Sequence, residues 1–268
     1  MIDIAKLSAS VPRSENEYIA EDGFLHCQVC GDALELMIEV PEVGQRKVRC
    51  VCSCKRKVDE REKELKQQEE NERNRRRCFG DAKEINCRFD TSKETELIKV
   101  SKNYANQFAD FNEMNKGLLF YGISGTGKSH AAACIANALI DKGYTACMST
   151  FESMINRLQE SFDGRQRYLD SLNDYSLLII DDLGAERQSN YMQSQVFNII
   201  DARYKSGKPF IITSNLTAAE LKKPADISNA RIYDRVLEVC HPVEAVGESF
   251  RRQKLREDYK QMEMLLKG

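Results

Sequence analysis

GLLFYGISGTGKS, residues Gly117 to Ser129, is the stretch from which the fold of this chain can be read. Leu118 to Tyr121 form a short apolar run of β character that stops at Gly122. From Gly122 to Ser129 the residues fit G-x-x-x-x-G-K-[ST], and an alanine-rich helical pattern, His130 to Ile140, follows at once. Strand, glycine turn and helix in this order build an anion site. Glycines let the backbone curl, and the exposed N–H groups of Ile123, Ser124, Gly125, Thr126, Gly127 and the helix start through His130 face phosphates. Lys128 reaches the outer phosphates of a nucleoside triphosphate such as ATP, and the Ser129 hydroxyl can ligate Mg2+.

Downstream, strand and helix patterns alternate as in an α/β domain. Strands are expected at Tyr144–Ser149, Ser176–Ile180, Phe210–Thr213 and Glu238–Val243, with helices at Phe151–Glu160, Tyr191–Ser206, Ala230–Val236 and Lys254–Leu266. Residues 161–174 read as a polar segment. With Leu118–Tyr121 this makes a doubly wound sheet of five parallel strands, with the phosphate site at their carboxyl ends. LLIIDDLGAE, Leu177 to Glu186, ends a buried strand in two acids. Asp181 is the expected Mg2+ partner and Asp182 is placed to orient or activate water, with Glu186 a weaker candidate for that task. PFIITSNL, Pro209 to Leu216, sets Asn215 at another strand end, where its amide can bond the attacking water or a γ-phosphate. Arg231 and Arg235, four apart on one helix face, suit surface ion pairs in a monomer or a neighbour's γ-phosphate in an assembly. Arg251 in GESFRRQ is a candidate γ-phosphate contact within the same chain.

Upstream, a helix is expected over Glu94–Phe111 and a loop over residues 78–92. Lys55 to Arg77 mixes charges of both signs among good helix formers, which suits an exposed helical linker. Five of the ten cysteines crowd between Cys27 and Cys54 in a reducing context, a pattern that asks for a metal and not for disulfides. Two strands around a turn at Pro41–Gly44 would bring thiolates together as in a zinc ribbon. Cys27, Cys30, Cys52 and Cys54 are favoured for Zn2+, with Cys50 and His26 as substitutes. Four thiolates leave no open position, so the site would be structural. Residues 1–20 lack a sustained period and read as an arm.

The domains expected are 1–54 (arm and zinc-binding), 55–77 (charged helical linker) and 78–268 (ATPase). A net charge of -2 excludes a global basic field for nucleic acid and leaves only local patches. No apolar run approaches the roughly 18 residues of a membrane helix, and the N-terminus lacks a signal-peptide core, so a cytoplasmic protein without a membrane partner is expected.

The set GISGTGKS, LLIIDDLGAE, TSNL and ARIYDR resembles the replicative-helicase loaders of bacteria and bacteriophages within the AAA+ superfamily, the DnaC-like and IstB-like ATPases, over about residues 78–252. The cysteine-rich front end is similar to the zinc-binding domain of loaders of the Gram-positive type. The resemblance implies a P-loop ATPase core with the separate helical lid absent or reduced. Gly122 to Ser129 would be the Walker A loop, Asp181 and Asp182 the Walker B acids, Asn215 sensor 1, Arg235 the arginine finger with Arg231 as companion, and Arg251 the sensor 2 arginine. Asp182 stands where such proteins mostly carry glutamate, and its shorter side chain implies slow hydrolysis or a switch-like use of ATP. The implied partners are a hexameric replicative helicase, single-stranded DNA and further copies of the chain. A transposition helper ATPase, acting on DNA with a transposase, is the alternative within the same fold.

Overall fold

The structure, a computed structural model, describes residues 16–160, 164–184, 190–223 and 227–267. Glu186 and residues 1–15 of the expected arm lie outside these. Two compact units divide the chain, the first ending at Glu69 and the second starting at Glu70.

In the first unit, β1 (Glu17–Ile19) pairs antiparallel with β2 (Leu25–Cys27), and β3 (Glu35–Val40) with β4 (Gly44–Arg49). The arm expected over residues 1–20 is therefore corrected at 17–19, which form a strand. The turn that closes this hairpin is set by Asp22, whose carboxylate accepts the Phe24 N–H at 2.9 Å, and by Gly23 at φ +74°. Three residues are too few for alternation to show in sequence. Helix α1 (Ser53–Phe79) begins in the first unit and ends in the second. Its i,i+4 pairs, such as Lys55 with Asp59 at 2.8 Å, are solvent-exposed and add little. Its far end is held by packing: Cys78 and Phe79 are buried in the core of the second unit, and Arg75 pairs with Asp141.

The second unit is built on a parallel sheet of β5 (Gly117–Tyr121), β6 (Ala146–Thr150), β7 (Leu177–Leu183), β8 (Phe210–Ser214) and β9 (Cys240–Glu244), in the order β6-β7-β8-β5-β9. The expected five-stranded α/β architecture is what the chain adopts. Alternate residues feed two cores, as the pleat requires. Leu118, Phe120 and Ile179 face α2 (Glu96–Asn106) and α4 (Lys128–Asp141). Leu119, Leu178 and Ile180 face α5 (Phe151–Glu160), α7 (Asn190–Lys205) and α9 (Ile227–Val239). Leu177 to Ile180 are all 0% exposed, worth about 1.5–3 kcal/mol each in removal from water. Gly117 has a steric reason: a Cβ there would lie 1.8 Å from the Phe210 carbonyl oxygen of the adjacent strand.

The short α3 (Phe108–Glu113) continues from α2. Residues 165–174, expected as polar chain, are helix α6, on which only Leu172 is buried. Tyr168 and Leu169 pack beside it only partly buried, and so short a set is too faint a signal to read as a period. The expected loop at 78–92 contains the end of α1 and a 3-10 turn at Lys83–Asn86. Helix α8 (Ala218–Lys222) was not anticipated, although Thr217 and Glu220 form a capping box. Arg203 on α7 is 1% exposed and donates to the carbonyls of Leu172, Tyr175, Ser176 and Pro209, tying together the chain leading into β7 and β8. Beyond β9 the described residues hold one helix, α10 (Phe250–Lys267). No described helix is long and apolar enough to cross a membrane.

Candidate nucleotide site and metal centre

At the carboxyl end of the sheet, the chain after β5 turns through Gly122, Gly125 and Gly127, at φ +124°, +87° and +94°. L-residues with a side chain rarely adopt these angles. Gly127 is the N-cap of α4, so the helix starts at Lys128 with its free N–H groups toward the loop. The loop is held from outside by the segment entering α10. The Phe250 N–H donates to the Gly125 carbonyl at 2.9 Å, and a Cβ on Gly125 would fall 2.0 Å from Ser249 Oγ.

Lys128 is 5% exposed, and its ammonium donates to the carbonyls of Gly122 and Ile123, each at 2.8 Å, and to Asn215 Oδ1 at 2.9 Å. Burial lowers its pKa, with Asp182 and Asp181 pulling the other way. The Asn215 amide also reaches Asp182 Oδ1 at 3.5 Å, so ammonium, amide and acid form a chain across the ends of α4, β8 and β7. Thr126 closes the loop through its hydroxyl on the Ile123 carbonyl.

The two acids have different surroundings. Asp181 Oδ1 accepts the Thr213 hydroxyl at 2.5 Å, and that same hydroxyl accepts the Asp182 N–H at 3.0 Å. The pairing of β7 with β8 shifts register between Ile180 and Leu183, and within that bulge Asp182 sits at φ +61°. The bulge breaks the strict alternation of the strand and lets adjacent acids be used separately. Burial, then the charge of Asp181, raises the Asp182 pKa above the ordinary value, against Lys128 and Arg251.

A cavity of about 610 Å3 opens over the loop. Ser124 through His130, Asp182, Asn215 and Arg251 line it; Gly122, Ile123 and Asp181 are not among its lining residues. Its far wall, which the sequence did not reveal, comes from residues 83–98, including Thr91, Ser92 and Lys93. Ser92 fixes the first helical turn there. Its hydroxyl donates to the Arg88 carbonyl at 2.6 Å, which leaves it to accept from His130 Nε2 at 2.7 Å. Phe250, next to Arg251 in sequence, forms another side, with the Lys93 ammonium 5.6 Å from its ring centre. Thr213 likewise is not among the site residues the sequence points to, although its place on the strand beside the two acids is a signal for it.

Arg231 and Arg235 do not line the cavity. Both guanidinium groups lie over the Phe197 ring, at 4.6 and 5.1 Å, and Arg235 pairs with Asp201 at 2.8 Å.

In the first unit the structure brings Cys27, Cys30, Cys52 and Cys54 together, their sulfurs all within 4.8 Å of one another. The shorter separations are 3.2 Å (Cys52 to Cys54) and 3.5 Å (Cys27 to Cys54), near the edge of about 3.8 Å that four 2.3 Å Zn–S bonds impose on a tetrahedron. Donor type, number and spacing therefore suit Zn2+. Backbone N–H groups of Asp32 and Cys54 hold the Cys30 thiol down to about 6, while hydrogen bonds with Cys52, Cys27 and Cys30 push Cys54 up to about 12. Crowded thiols resist losing every proton unless a cation replaces them. The two substitutes are engaged elsewhere: Cys50 Sγ donates to the Ala33 carbonyl, and the His26 ring nitrogens meet Gly31 O and Asp22 Oδ2, each at 2.9 Å.

The profile of the IstB-like ATP binding protein family matches residues 52–258. Among curated proteins, the chain is 30% identical over 162 residues to the replicative helicase loader DnaC of Buchnera aphidicola from Acyrthosiphon pisum, covering 57% of this chain and 63% of that protein. It is 27% identical over 155 residues to the replicative helicase loader DnaI of Bacillus subtilis, covering 53% and 50%. The chain thus spans less than two thirds of these relatives. A crystal structure of the DnaC helicase loader superposes with a TM-score of 0.52 at 26% identity, over 61% of this chain and 99% of that one.

Proposed function

The chain belongs to the IstB-like ATP-binding protein family, and on that premise we propose that it is an ATP-hydrolysing loader that binds a hexameric replicative helicase and helps deliver it onto single-stranded DNA. The observation that carries this reading is the convergence of β5, β7, β8 and the start of α10 on one cavity, in a chain similar to proteins named replicative helicase loaders. Those names also favour the loader over a transposition helper.

In this reading the N–H groups from Gly122 to His130 cradle the triphosphate and Lys128 meets its outer oxygens. Ser129 and Asp181 would hold Mg2+, which supplies charge neutralisation on the phosphates; the Thr213 bond to Oδ1 leaves Oδ2 of Asp181 for that role. Asp182 and Asn215 orient the attacking water. Arg251 reaches the γ-phosphate within the chain, and Arg235, accompanied by Arg231, reaches that of a neighbouring copy, so hydrolysis follows self-association. Cys27, Cys30, Cys52 and Cys54 hold a structural Zn2+. Residues 1–54 and the charged helix 55–77 would face the helicase, leaving 78–268 to hold ATP and meet single-stranded DNA.

The test is affinity capture of the tagged full chain from its source cell with ATP and Mg2+ present. A hexameric helicase is the expected partner. Recovery of a transposase in its place would move the assignment to the transposition helper, and loss of residues 1–77 without loss of helicase would remove the front end from that contact.

A further inference from the structure

Arg235 is held from three directions by one face of α7. Phe197, Asp201 and Tyr204 stand at i, i+4 and i+7 on that helix, and so share a side. The guanidinium lies 5.1 Å from the Phe197 ring centre and 4.9 Å from that of Tyr204, while Nη2 meets Asp201 Oδ1 at 2.8 Å. Tyr204 is itself fixed, its hydroxyl donating to Glu238 Oε1 at 2.7 Å. Beneath these groups Ile199, Ile200, Ile232 and Val236 of α7 and α9 share the buried core, so the cradle rests on a packed base.

We infer that Asp201, with the rings of Phe197 and Tyr204, is a positioning device that holds Arg235 aimed at the phosphates of a neighbouring copy. The inference rests on the reading of Arg235 as a residue that acts in trans. An arginine offers five N–H donors, and the 2.8 Å contact with Asp201 is an ion pair that leaves Asp201 Oδ1 without a hydrogen-bond partner, so an edge of the fork stays available for a second anion. Asp201 does not neutralise the face, because Lys205 also pairs with it at 2.8 Å. Two cations on one carboxylate leave net positive charge, and Arg231 over Phe197 adds to it. Among the described residues Arg231 has no carboxylate within salt-bridge reach. Restricting a long side chain beforehand removes an ordering cost at contact, an effect of about two- to tenfold.

Mixed assemblies test this. Asp182→Asn subunits keep the finger and lose hydrolysis; Arg235→Ala subunits keep the site and lose the finger. Mixing the two should restore ATP turnover across their shared interfaces. Asp201→Asn or Phe197→Leu added to the finger-donating subunit should lower the restored rate about three- to tenfold. The same changes in the subunit that contributes the site should leave it within about twofold. Equal loss in both placements would assign these residues to general stability, and no loss, or a faster rate, would show that the cradle does not aid the contact; either overturns the inference. If the starting mixture restores nothing, the trans reading of Arg235 itself fails and the inference falls with it.

Discussion

Replacing Thr213 by valine removes one oxygen atom and two hydrogen bonds at the centre of the site. Thr213 is 0% exposed; its hydroxyl donates to Asp181 Oδ1 at 2.5 Å and accepts the Asp182 N–H at 3.0 Å. Valine keeps the β-branched shape, so strand propensity and packing volume change little. The bond to a carboxylate is worth about 1.5–3 kcal/mol, and a stranded backbone N–H costs about 1–3 kcal/mol. Both acids are partly solvated, and water recovers part of each loss, which brings the expected destabilisation to about 2–3 kcal/mol. For a unit of this size that is a fall in melting temperature of roughly 4–12 °C. Thermal unfolding of the full chain by circular dichroism reads it, with Thr213→Ser as the control that keeps the hydroxyl. ATP-Mg2+ affinity should fall with it, because Asp181 loses its orientation. A valine variant within about 0.5 kcal/mol of the parent, or a serine variant as damaged as valine, would refute this account of the two acids.

Asp182 carries a pH prediction. Its pKa is raised above the usual 3.8 by burial and by Asp181, so its charged form is disfavoured in the fold. The folded state then binds the proton more tightly than the unfolded one: this group's penalty is fully present above the folded pKa and is relieved as pH falls through it. Hydrolysis, which needs the carboxylate ionised, should lose its acid limb at a pH above 3.8. Asp182→Asn should slow turnover about 100-fold while raising the melting temperature at pH 7, since asparagine removes the charge and still accepts a positive φ; a variant both slower and less stable would contradict this. In the first unit, the full chain should carry one zinc by metal analysis, lost in Cys52→Ser and retained in Cys50→Ser, whose thiol is turned to the Ala33 carbonyl. Retention of zinc by Cys52→Ser would remove Cys52 from the ligand set.

The phosphate loop and the sheet could be read from sequence because their physics is local. A buried parallel strand is a continuous apolar run, and a loop that needs three positive φ values must spend glycines where they are seen. The cysteine set was legible for the same reason, thiols being few and their spacing short. What escaped depends on partners far along the chain. Asp182 owes its conformation to a bulge set by how β7 meets β8, and a run of letters LLIIDDL carries no mark of it. The wall at residues 83–98 combines a 3-10 turn, irregular chain and the first turn of α2, brought to the loop by packing on α4. The cradle of Arg235 needs the α7 and α9 faces in contact, and a helical pattern over Tyr191–Ser206 does not by itself mark Phe197, Asp201 and Tyr204 as its parts. At Glu17–Ile19 the strand is too short to show a period.

If a second copy of the chain completes the site when ATP is bound, light scattering of the full chain with ATP and Mg2+ should give the parent a mass several times that of one chain, falling to single chains in ADP and in Arg235→Ala, with turnover falling in parallel. A parent that remains a single chain with ATP bound while hydrolysing it at a rate independent of protein concentration would show that each chain's site is complete by itself.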